Sequence, residues 1–599
     1  MLPPRSSGEA RGTCRSSACG ATTAGSQSQQ GGDSMTSTVA GQRGLFGEEA
    51  GAAAAAGPRD GASLKKGAGG AAADGPAEKG GDTAAHRLAA KQREISVSEF
   101  FTKNRHLLGF DNPRKALLTA IKEAVDNSLD ACEEAGILPD VRVEILPTPR
   151  DDRFRVIVED NGPGIVKQQL PHVFARLLYG SKFHVLKQQR GQQGIGISAA
   201  AMYGQLTTGK PLSVISRIGK KHPAWYVELK IDTAKNRPEV LREMETDWDK
   251  EHGTRIELEL EAKVQKGKQS VDEYLLQTAI ANPHVRLEYK DWDGQEQVFD
   301  RATKTLPPQP TQIQPHPYGV EVGMLGGMMK TTEAKKLAAF LKSDFSRVSP
   351  RVAEEICDLA KVSPDARLSG LEAEQIERIH QAMSQVKIMA PATDCIVPIG
   401  EAGLVAGMKK VLPAELFLAE TRAPKIYRGN PFVVEVGVAW GGELPAEEPV
   451  RLVRFANRVP LLYQQGACVT TKSVITTDWR NYLLQQPKDA LPVAPMAIVV
   501  HLASAWVPFT SEAKEAIAHY PEILKEIRLS LMEMGRKIAT HIRKTRRAAD
   551  EAKKRNYIDM FLPTVVAALH EILVLDPPTQ EKAAKNLRDI LEATRKQNV

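Results

Sequence analysis

The chain has 599 residues, 42% of them hydrophobic and 26% charged, with a formal net charge of +7. These values are ordinary for a globular protein, and at roughly 150 residues per domain the length predicts about four structural units. No run of 18 or more apolar residues occurs, so no membrane-spanning helix is predicted. Six scattered cysteines without a CxxC pair predict unpaired thiols in a reducing compartment and no zinc site.

The first 92 residues are rich in Gly, Ala and Ser, with runs such as Gly51-Ala-Ala-Ala-Ala-Ala-Gly57. Such a composition does not bury enough apolar surface to offset the chain entropy lost on folding. Residues 1–92 are therefore predicted to be a disordered low-complexity tail. The first 32 residues carry Arg and Ser but few acids, which leaves an organellar transit peptide open, and Met35 is an alternative start.

Regular structure is predicted from about residue 95. The turn Asp111-Asn-Pro113 precedes a helix over 114–135, in which apolar residues recur at helical spacing and which Gly136 ends. This helix and the strands that follow it predict an α/β sandwich over residues 93–310, in which the helix packs against a sheet of those strands. Those strands are indicated by alternating polar and apolar residues at 141–146, 154–158, 212–216, 225–229 and 254–260.

Three further units are predicted beyond a proline-dense linker near residues 306–317, which makes the whole chain α+β. Residues 320–392 contain three short helical patterns, at 332–342, 350–359 and 372–385. Strands return between 396 and 502 and a long helical pattern runs from about 511 to 555, so an α/β unit is predicted over 395–545. Residues 546–599 are predicted to form two amphipathic helices, at 557–575 and 579–595.

The first helix carries a motif with chemical potential, because Glu123 and Asn127 are four residues apart and share a face with Asp130. The amide oxygen of Asn127 is a hard ligand that suits Mg²⁺. Glu123 can accept a proton from a water that attacks a γ-phosphate. Read alone, the same residues also fit an amphipathic helix with an acidic outer face.

Two glycine-containing motifs follow. In Asp160-Asn-Gly-Pro-Gly-Ile165, directly after a strand, Asp160 can accept from an exocyclic amine, while Gly162 and Gly164 permit a tight turn and close approach of a ligand. Gly191-Gln-Gln-Gly-Ile-Gly196 precedes a helix, whose first backbone N–H groups attract anions. A turn that serves only the backbone geometry would also explain the motif at 160–165. The motif at 191–196 is weak evidence by itself, and it lacks the lysine of a Walker loop.

Taken in order, E-x-x-x-N, D-x-G-x-G-I, G-x-x-G-x-G and Gly253-Thr254 resemble the GHKL ATPase superfamily, which includes gyrase, heat-shock chaperone, histidine kinase and mismatch-repair ATPases. The sequence is closer still to the B subunits of type IIB DNA topoisomerases (topoisomerase VI). That resemblance covers residues 95–575. It is carried by Ser98-Glu-Phe-Phe-Thr-Lys-Asn104, Gly109-Phe-Asp-Asn-Pro113, Tyr179-Gly-Ser-Lys182 and Arg190-Gly-Gln-Gln-Gly-Ile-Gly196.

The resemblance implies a GHKL ATPase domain, a helix-two-turn-helix insert, a transducer with a long lever helix and C-terminal docking helices. It implies that Glu123 is the general base, that Asn127 is the Mg²⁺ ligand, and that Lys514 on a helix is the switch lysine that reaches the γ-phosphate of ATP. The remaining residues implied to hold ATP are Asp160, Gly162, Gly164, Ser181, Lys182, Gly191, Gln192, Gln193, Gly194, Ile195, Gly196, Ile197, Ser198 and Thr254.

The resemblance also implies partners. ATP would close two copies of the chain into a dimer, and a separate A subunit would cut double-stranded DNA, in an assembly of two A and two B subunits without a membrane. This chain shows no metal-binding DxD pair with a nucleophilic tyrosine. The expected location is cytoplasmic and nucleoid-associated in a prokaryote, or nuclear or organellar in a eukaryote.

Alternatives stay open at this point. A histidine kinase should carry a phospho-acceptor histidine helix, but residues 1–90 contain only His86. A chaperone-like GHKL ATPase should lack the helical insert. A catalytically reduced partner of a meiotic-type cleavage complex should have eroded motifs. Nine Lys and Arg between Arg536 and Arg555 fit either a solvated helix face or attraction to DNA phosphates or an acidic partner.

Overall fold

The computed structural model describes residues 84–182, 185–191, 194–574 and 576–596. The chain divides after Ala90, and residues 84–89 form a short helix, α1 (Ala84–Ala89). Residues 1–83 of the predicted disordered tail lie outside the described residues. Helix α1 lies within the end of that predicted tail, so the prediction of disorder is wrong there. Its alanines and leucine are strong helix formers, which explains the difference. Among the described residues, no helix combines the length and apolar character needed to cross a bilayer.

The first layered part of the larger unit is an eight-stranded sheet, with strand order β5-β4-β3-β6-β2-β1-β7-β8. Neighbouring strands are antiparallel except for β1 and β7. Its strands are β1 (Asp140–Pro147), β2 (Arg153–Asp160), β3 (Leu212–Arg217), β4 (Ala224–Asp232), β5 (Arg237–Thr246), β6 (Gly253–Glu261), β7 (Arg286–Lys290) and β8 (Glu296–Phe299). Its helices are α2 (Val97–Lys103), α3 (Pro113–Glu134), α4 (Leu170–Ala175), α5 (Gly196–Thr208) and α6 (Val271–Ala281).

Helix α3 begins as predicted, because Asn112 caps it by accepting from the backbone N–H of Lys115 at 2.9 Å and Pro113 occupies its first turn. Its apolar face packs into the core against the sheet. Helices α2, α4 and α6 and strands β5, β7 and β8 were not predicted from the sequence. Strand β5 is exposed or half-exposed along its whole length, so it shows no alternation of buried and exposed residues.

Four helices with a core of their own follow the linker: α7 (Val322–Thr331), α8 (Leu337–Ser343), α9 (Pro350–Ala360) and α10 (Ala373–Gln385). The first of them was not predicted, because the pair Gly326-Gly327 lowers its helix propensity. Packing of Leu325 and Met329 into the core of this unit outweighs that penalty. The limits of the predicted insert, 320–392, stay a prediction.

The second sheet has the order β10-β11-β14-β12-β13, with β9 paired to β11. Every residue of the central strand β14 is buried. Helices α11 and α12 lie in this part of the chain. The elements are α11 (Glu401–Val411), β9 (Leu416–Thr421), β10 (Lys425–Tyr427), β11 (Asn430–Trp440), β12 (Arg451–Ala456), β13 (Val459–Pro460), α12 (Val469–Thr476) and β14 (Met496–Ser504).

Two helices end the chain: α13 (Pro521–Leu573) and α14 (Pro577–Lys596). The predicted helix over 511–555 is wrong at its start, because residues 511–520 form a loop and Pro521 begins the helix. The predicted break before Tyr557 is also wrong. Strong helix formers precede that residue at Lys553, Lys554 and Arg555, and Pro563 is tolerated inside the continuous helix.

Candidate functional site

A cavity of about 660 Å³ lies beside α3, within the size range of small-molecule sites. Both sheets contribute to its wall. Gly162 is not part of that wall, and Gln192 and Gln193 lie outside the described residues. The predicted residues that line it are Glu123, Asn127, Asp160, Gly164, Ser181, Lys182, Gly191, Gly194, Ile195, Gly196, Ile197, Ser198, Thr254 and Lys514.

Asp160 is buried at the end of β2 and its carboxylate accepts three hydrogen bonds. The hydroxyl of Ser128 donates to Oδ2 at 2.8 Å, and the backbone N–H groups of Gly162 and Thr254 donate to Oδ1 at 2.8 and 3.1 Å. Burial raises the pKa of Asp160 despite these donors. The carboxylate is thus fixed in position as an acceptor for a polar group in the cavity. Ser128 was missed by the sequence analysis, although it directly follows Asn127.

Gly164 adopts a left-handed φ of +72°, and a Cβ there would collide with the backbone carbonyl of Arg217. A Cβ on Gly162 would lie 2.9 Å from Oδ1 of Asp160. The two glycines therefore permit close approach of the protein's own backbone and carboxylate. This is a different reason from the ligand approach that the motif suggested.

The carboxylate of Glu123 lies against the start of α5, because a Cβ on Gly196 would collide with it. Asn127, one turn further along α3, is exposed to the cavity. Ile195 stands at the N-cap of α5, and its side chain cannot accept from the first N–H groups of the helix. An acid, an amide and a helix N-terminus suited to anions thus meet at one end of the cavity.

Three predicted residues make contacts that the motifs did not indicate. The hydroxyl of buried Ser198 donates to the backbone carbonyls of Val173 and Arg176, at 3.3 and 3.0 Å. Nζ of Lys182 donates to Oδ2 of Asp130 at 2.7 Å. Burial opposes the charge of Lys182, but the neighbouring carboxylates raise its pKa. Asp130 is therefore held by ion pairs instead of facing solvent.

Lys514 reaches the cavity from a loop and not from a helix. The loop is closed by hydrogen bonds from the N–H of Thr510 to the carbonyl of Ala516, at 2.9 Å, and from the N–H of Lys514 to the carbonyl of Ser511, at 3.1 Å. Nζ of Lys514 donates to the backbone carbonyl of Arg190 at 3.1 Å. Burial lowers the pKa of this lysine.

The comparisons agree with this architecture. Residues 112–264 match the model of the histidine kinase-, DNA gyrase B- and HSP90-like ATPases, and residues 391–554 match the topoisomerase VI B subunit transducer. The B subunit of type 2 DNA topoisomerase 6 from Methanococcoides burtonii is 50% identical over 82% of this chain and 79% of its own length. Its counterpart from Archaeoglobus fulgidus is 45% identical over 85% of this chain and 84% of its own length. The chain belongs to the topoisomerase VI B subunit family.

Membership of the topoisomerase VI B family confirms the resemblance and the α+β fold class, with an ATP-binding GHKL domain and a transducer. It argues against the histidine kinase and chaperone alternatives. The matched transducer segment contains Lys514 and the matched ATPase segment contains Glu123. The cavity is thus built from both segments.

Contacts missed by the sequence analysis join these two segments near the cavity. Nζ of Lys115, in the first turn of α3, lies 2.6 Å from Oε1 of Glu515 and 5.4 Å from the ring centre of Tyr463. Lys115 and Glu515 are 400 positions apart in the chain. No spacing rule pairs residues that far apart in the sequence. The only sequence signal for this ion pair was the presence of Lys and Glu, which is ordinary for a protein of this composition.

Proposed function

We propose that this chain is the ATP-hydrolysing B subunit of a type IIB DNA topoisomerase. ATP-driven dimerisation would gate passage of one duplex through a double-strand break made by an A subunit, which relaxes supercoils and decatenates DNA. The observation that supports this most directly is the single cavity wall that joins the acid, the amide, the buried carboxylate and a lysine from the transducer segment.

In this proposal Asp160 reads the adenine amine beside Thr254, and Gly162 and Gly164 shape the turn around it. Glu123 takes a proton from the attacking water. Lys514 contacts the γ-phosphate and reports its presence. The phosphates are wrapped by Ser181, Lys182, Gly191, Gln192, Gln193, Gly194, Ile195, Gly196, Ile197 and Ser198.

The residues present fit Mg²⁺. The Asn127 amide is exposed to the cavity and offers a hard oxygen, and Mg²⁺ commonly takes few protein ligands and completes its shell with phosphates and water. Asn127 would hold the ion, which when bound neutralises phosphate charge. Glu123 lies one helical turn away, and Nζ of Lys122 is 3.6 Å from its Oε1.

Glu123→Ala tests the proposed chemistry. The variant should bind ATP about as well as the parent chain and lose hydrolysis by at least about 100-fold, because only the water-activating acid is removed. A fluorescent ATP analogue measures binding and phosphate release measures turnover. Glu144→Ala on β1, which removes a carboxylate paired with Arg142, is the matched control. Hydrolysis at the parent rate in Glu123→Ala would show that the base is wrongly assigned.

The proposed A-subunit contact lies in residues 546–599. Large apolar side chains are exposed on the last part of α13, among them Met560 at 63% and Ile572 at 76%. The basic block of α13 is also exposed at its described side chains, and we propose that it attracts DNA. A cytoplasmic or nuclear place of action follows from the DNA substrate.

Co-purification of the full chain with an A-type subunit tests this contact. Met560→Glu and Ile572→Glu should each weaken the complex, because a charge would enter the proposed apolar interface. Leu241→Glu on β5, an apolar position that is also exposed, at 46%, should leave it intact. Equal recovery of the complex with all three variants would refute docking at α13.

A further inference from the structure

A buried ionic cluster connects Arg190 and Gly191, here called the lid base, to the second sheet. It begins at Arg190, which precedes the glycine motif and is 7% exposed. Its guanidinium donates to Asp130 at 2.7 Å, to Glu133 at 2.6 and 3.0 Å and to Asn282 at 2.7 Å. The carbonyl of the same residue accepts from Lys514. The position of Arg190 therefore sets both the base of the lid and the direction of Lys514.

Glu133 is the shared member of this cluster. Besides Arg190, its carboxylate lies 2.8 Å from Nε2 of His284 and 3.9 Å from Nη1 of Arg458, a residue of the second sheet. Burial opposes the charge of Glu133, but the surrounding cations hold its pKa well below the ordinary range. A carboxylate held ionised between two guanidinium groups transmits the displacement of one to the other.

Arg458 is placed by its own backbone. Asn457 and Arg458 form the two-residue turn between β12 and β13, with left-handed φ values of +48° and +67°. Glycine is preferred at the second position of such a turn, so an arginine there is strained. That conformation lets the backbone N–H of Arg458 donate to Nε2 of buried His501 at 3.0 Å while its side chain extends toward Glu133.

The residues behind Arg458 are buried and hydrogen-bonded to one another. His501 and Glu435 are both fully buried, and Nδ1 of the histidine is 2.7 Å from the Glu435 carboxylate. Glu435 also accepts from the N–H groups of Ile399 and Gly400, at 2.8 and 2.7 Å. Asn457 donates to the carbonyl of Gln189 at 3.0 Å, next to Arg190. The turn thus contacts the lid base both directly and through Glu133.

The contact between Arg458 and Glu133 has room to change. Both residues line a small polar cavity of about 50 Å³, and among the described residues Nε of Arg458 and the side-chain amide of Gln189 have no hydrogen-bond partner. Within the described residues, the guanidinium of Arg458 also donates over longer distances, to the carbonyls of Val397 at 3.4 Å and Pro398 at 3.2 Å. The cavity therefore leaves room for the guanidinium and the carboxylate of this ion pair to shift together.

We propose that Arg458 is a positioning residue for ATP hydrolysis, which acts through Glu133 and Arg190 to align the lid base and Lys514 with the second sheet. The proposal rests on the proposed ATPase function. When the second sheet moves, the charged side chain of Arg458 displaces Glu133, and Arg190 and Lys514 follow together. The proposed adenine contact of Asp160 does not involve Arg458, Glu133 or Arg190. A change at Arg458 should therefore lower kcat more than it lowers the affinity for ATP.

The test compares Arg458→Met, Arg458→Lys and Arg422→Met in the full chain. Arg422→Met is the matched control, because Nε of Arg422 pairs with Glu526 at 2.8 Å away from the lid. We expect Arg458→Met to keep the affinity for a fluorescent ATP analogue within about threefold and to lose at least about 10-fold in kcat. Arg458→Lys should restore kcat to within about threefold of the parent, and Arg422→Met should leave it unchanged.

A parental kcat in Arg458→Met would overturn the proposal, as would a loss in Arg458→Lys as large as in Arg458→Met. If Arg458→Met does not fold, Glu133→Gln, which keeps the shape of the shared side chain, should give the same split between affinity and kcat, and a parental kcat there overturns the proposal too. Failure of the parent chain to hydrolyse ATP would instead refute the proposed function.

Discussion

Asp126 is a buried carboxyl between the two chemically important residues of α3, and it offers a test that needs no nucleotide. It is 6% exposed, and its Oδ1 accepts from the hydroxyl of Tyr274 at 3.0 Å. Burial raises its pKa to about 6, against an ordinary value of 3.8. Asp126→Asn removes the charge and keeps an oxygen for Tyr274, so we expect this variant to be more stable than the parent near neutral pH.

The magnitude and sign follow from proton linkage. Between pH 3.8 and about 6 the folded state binds a proton at Asp126 that the unfolded state has released, so the parent loses stability as pH rises through this window. At about 1.4 kcal/mol per pH unit, the ionised carboxyl costs the fold about 3 kcal/mol above pH 7. The advantage of Asp126→Asn should therefore be full at pH 8, about half as large at pH 5, about a fifth as large near pH 4 and absent below about pH 3.

Hydrogen exchange of α3 measures this effect where it arises, because a chain of several units has no single unfolding free energy. At pH 8 the amides of α3 that exchange by opening of this region should exchange roughly 100-fold more slowly in Asp126→Asn than in the parent. Asp130→Asn, on the same helix, loses ion pairs with Lys182 and Arg190 and should exchange faster. Equal exchange of Asp126→Asn and parent at pH 8 would refute the linkage argument.

Two further predictions concern the nucleotide site. Lys514→Ala should keep ATP affinity within about threefold but uncouple ATP hydrolysis from strand passage. Lys525→Ala, at an exposed position of α13, should leave strand passage unchanged. Unchanged supercoil relaxation by the reconstituted complex with Lys514→Ala would count against the switch role. Gly164→Ala should weaken ATP binding at least about 10-fold, because left-handed strain of about 1–2 kcal/mol adds to a collision with the backbone. Gly136→Ala has a similar φ of +71° but nothing within 4 Å of its Cβ, so it should leave ATP binding unchanged. Equal ATP affinity of the two alanine variants would contradict this reasoning.

The part of the site that lies on local elements was predictable from sequence. Helical spacing places Glu123 and Asn127 on one face of α3 whatever surrounds it, and Asp160 stands at the end of a strand that alternation reveals. These three residues line one cavity, as the motifs indicated. Their catalytic and binding roles stay predictions, because geometry alone does not show a reaction.

The contacts that complete the site were not predictable, because they join distant segments. Arg190 reads as an ordinary residue before a glycine motif, yet it is buried and bonded to both Glu133 and Lys514. The latter interaction uses a backbone carbonyl, which every residue possesses. Helical periodicity even misplaced Lys514, because the loop that holds it is closed by tertiary packing and backbone hydrogen bonds.

The two sheets cannot be treated as independent at the nucleotide site. Glu515 pairs with Lys115 at the start of α3, and burial of this pair requires both segments. Arg458 and Lys514 likewise place cations of the transducer segment against groups of α3 and the lid base. A buried charge left without its partner is costly, so each sheet stabilises the charges of the other. A displacement of the second sheet would therefore shift Arg190 and Lys514, which is what the proposed coupling of ATP hydrolysis to DNA passage requires.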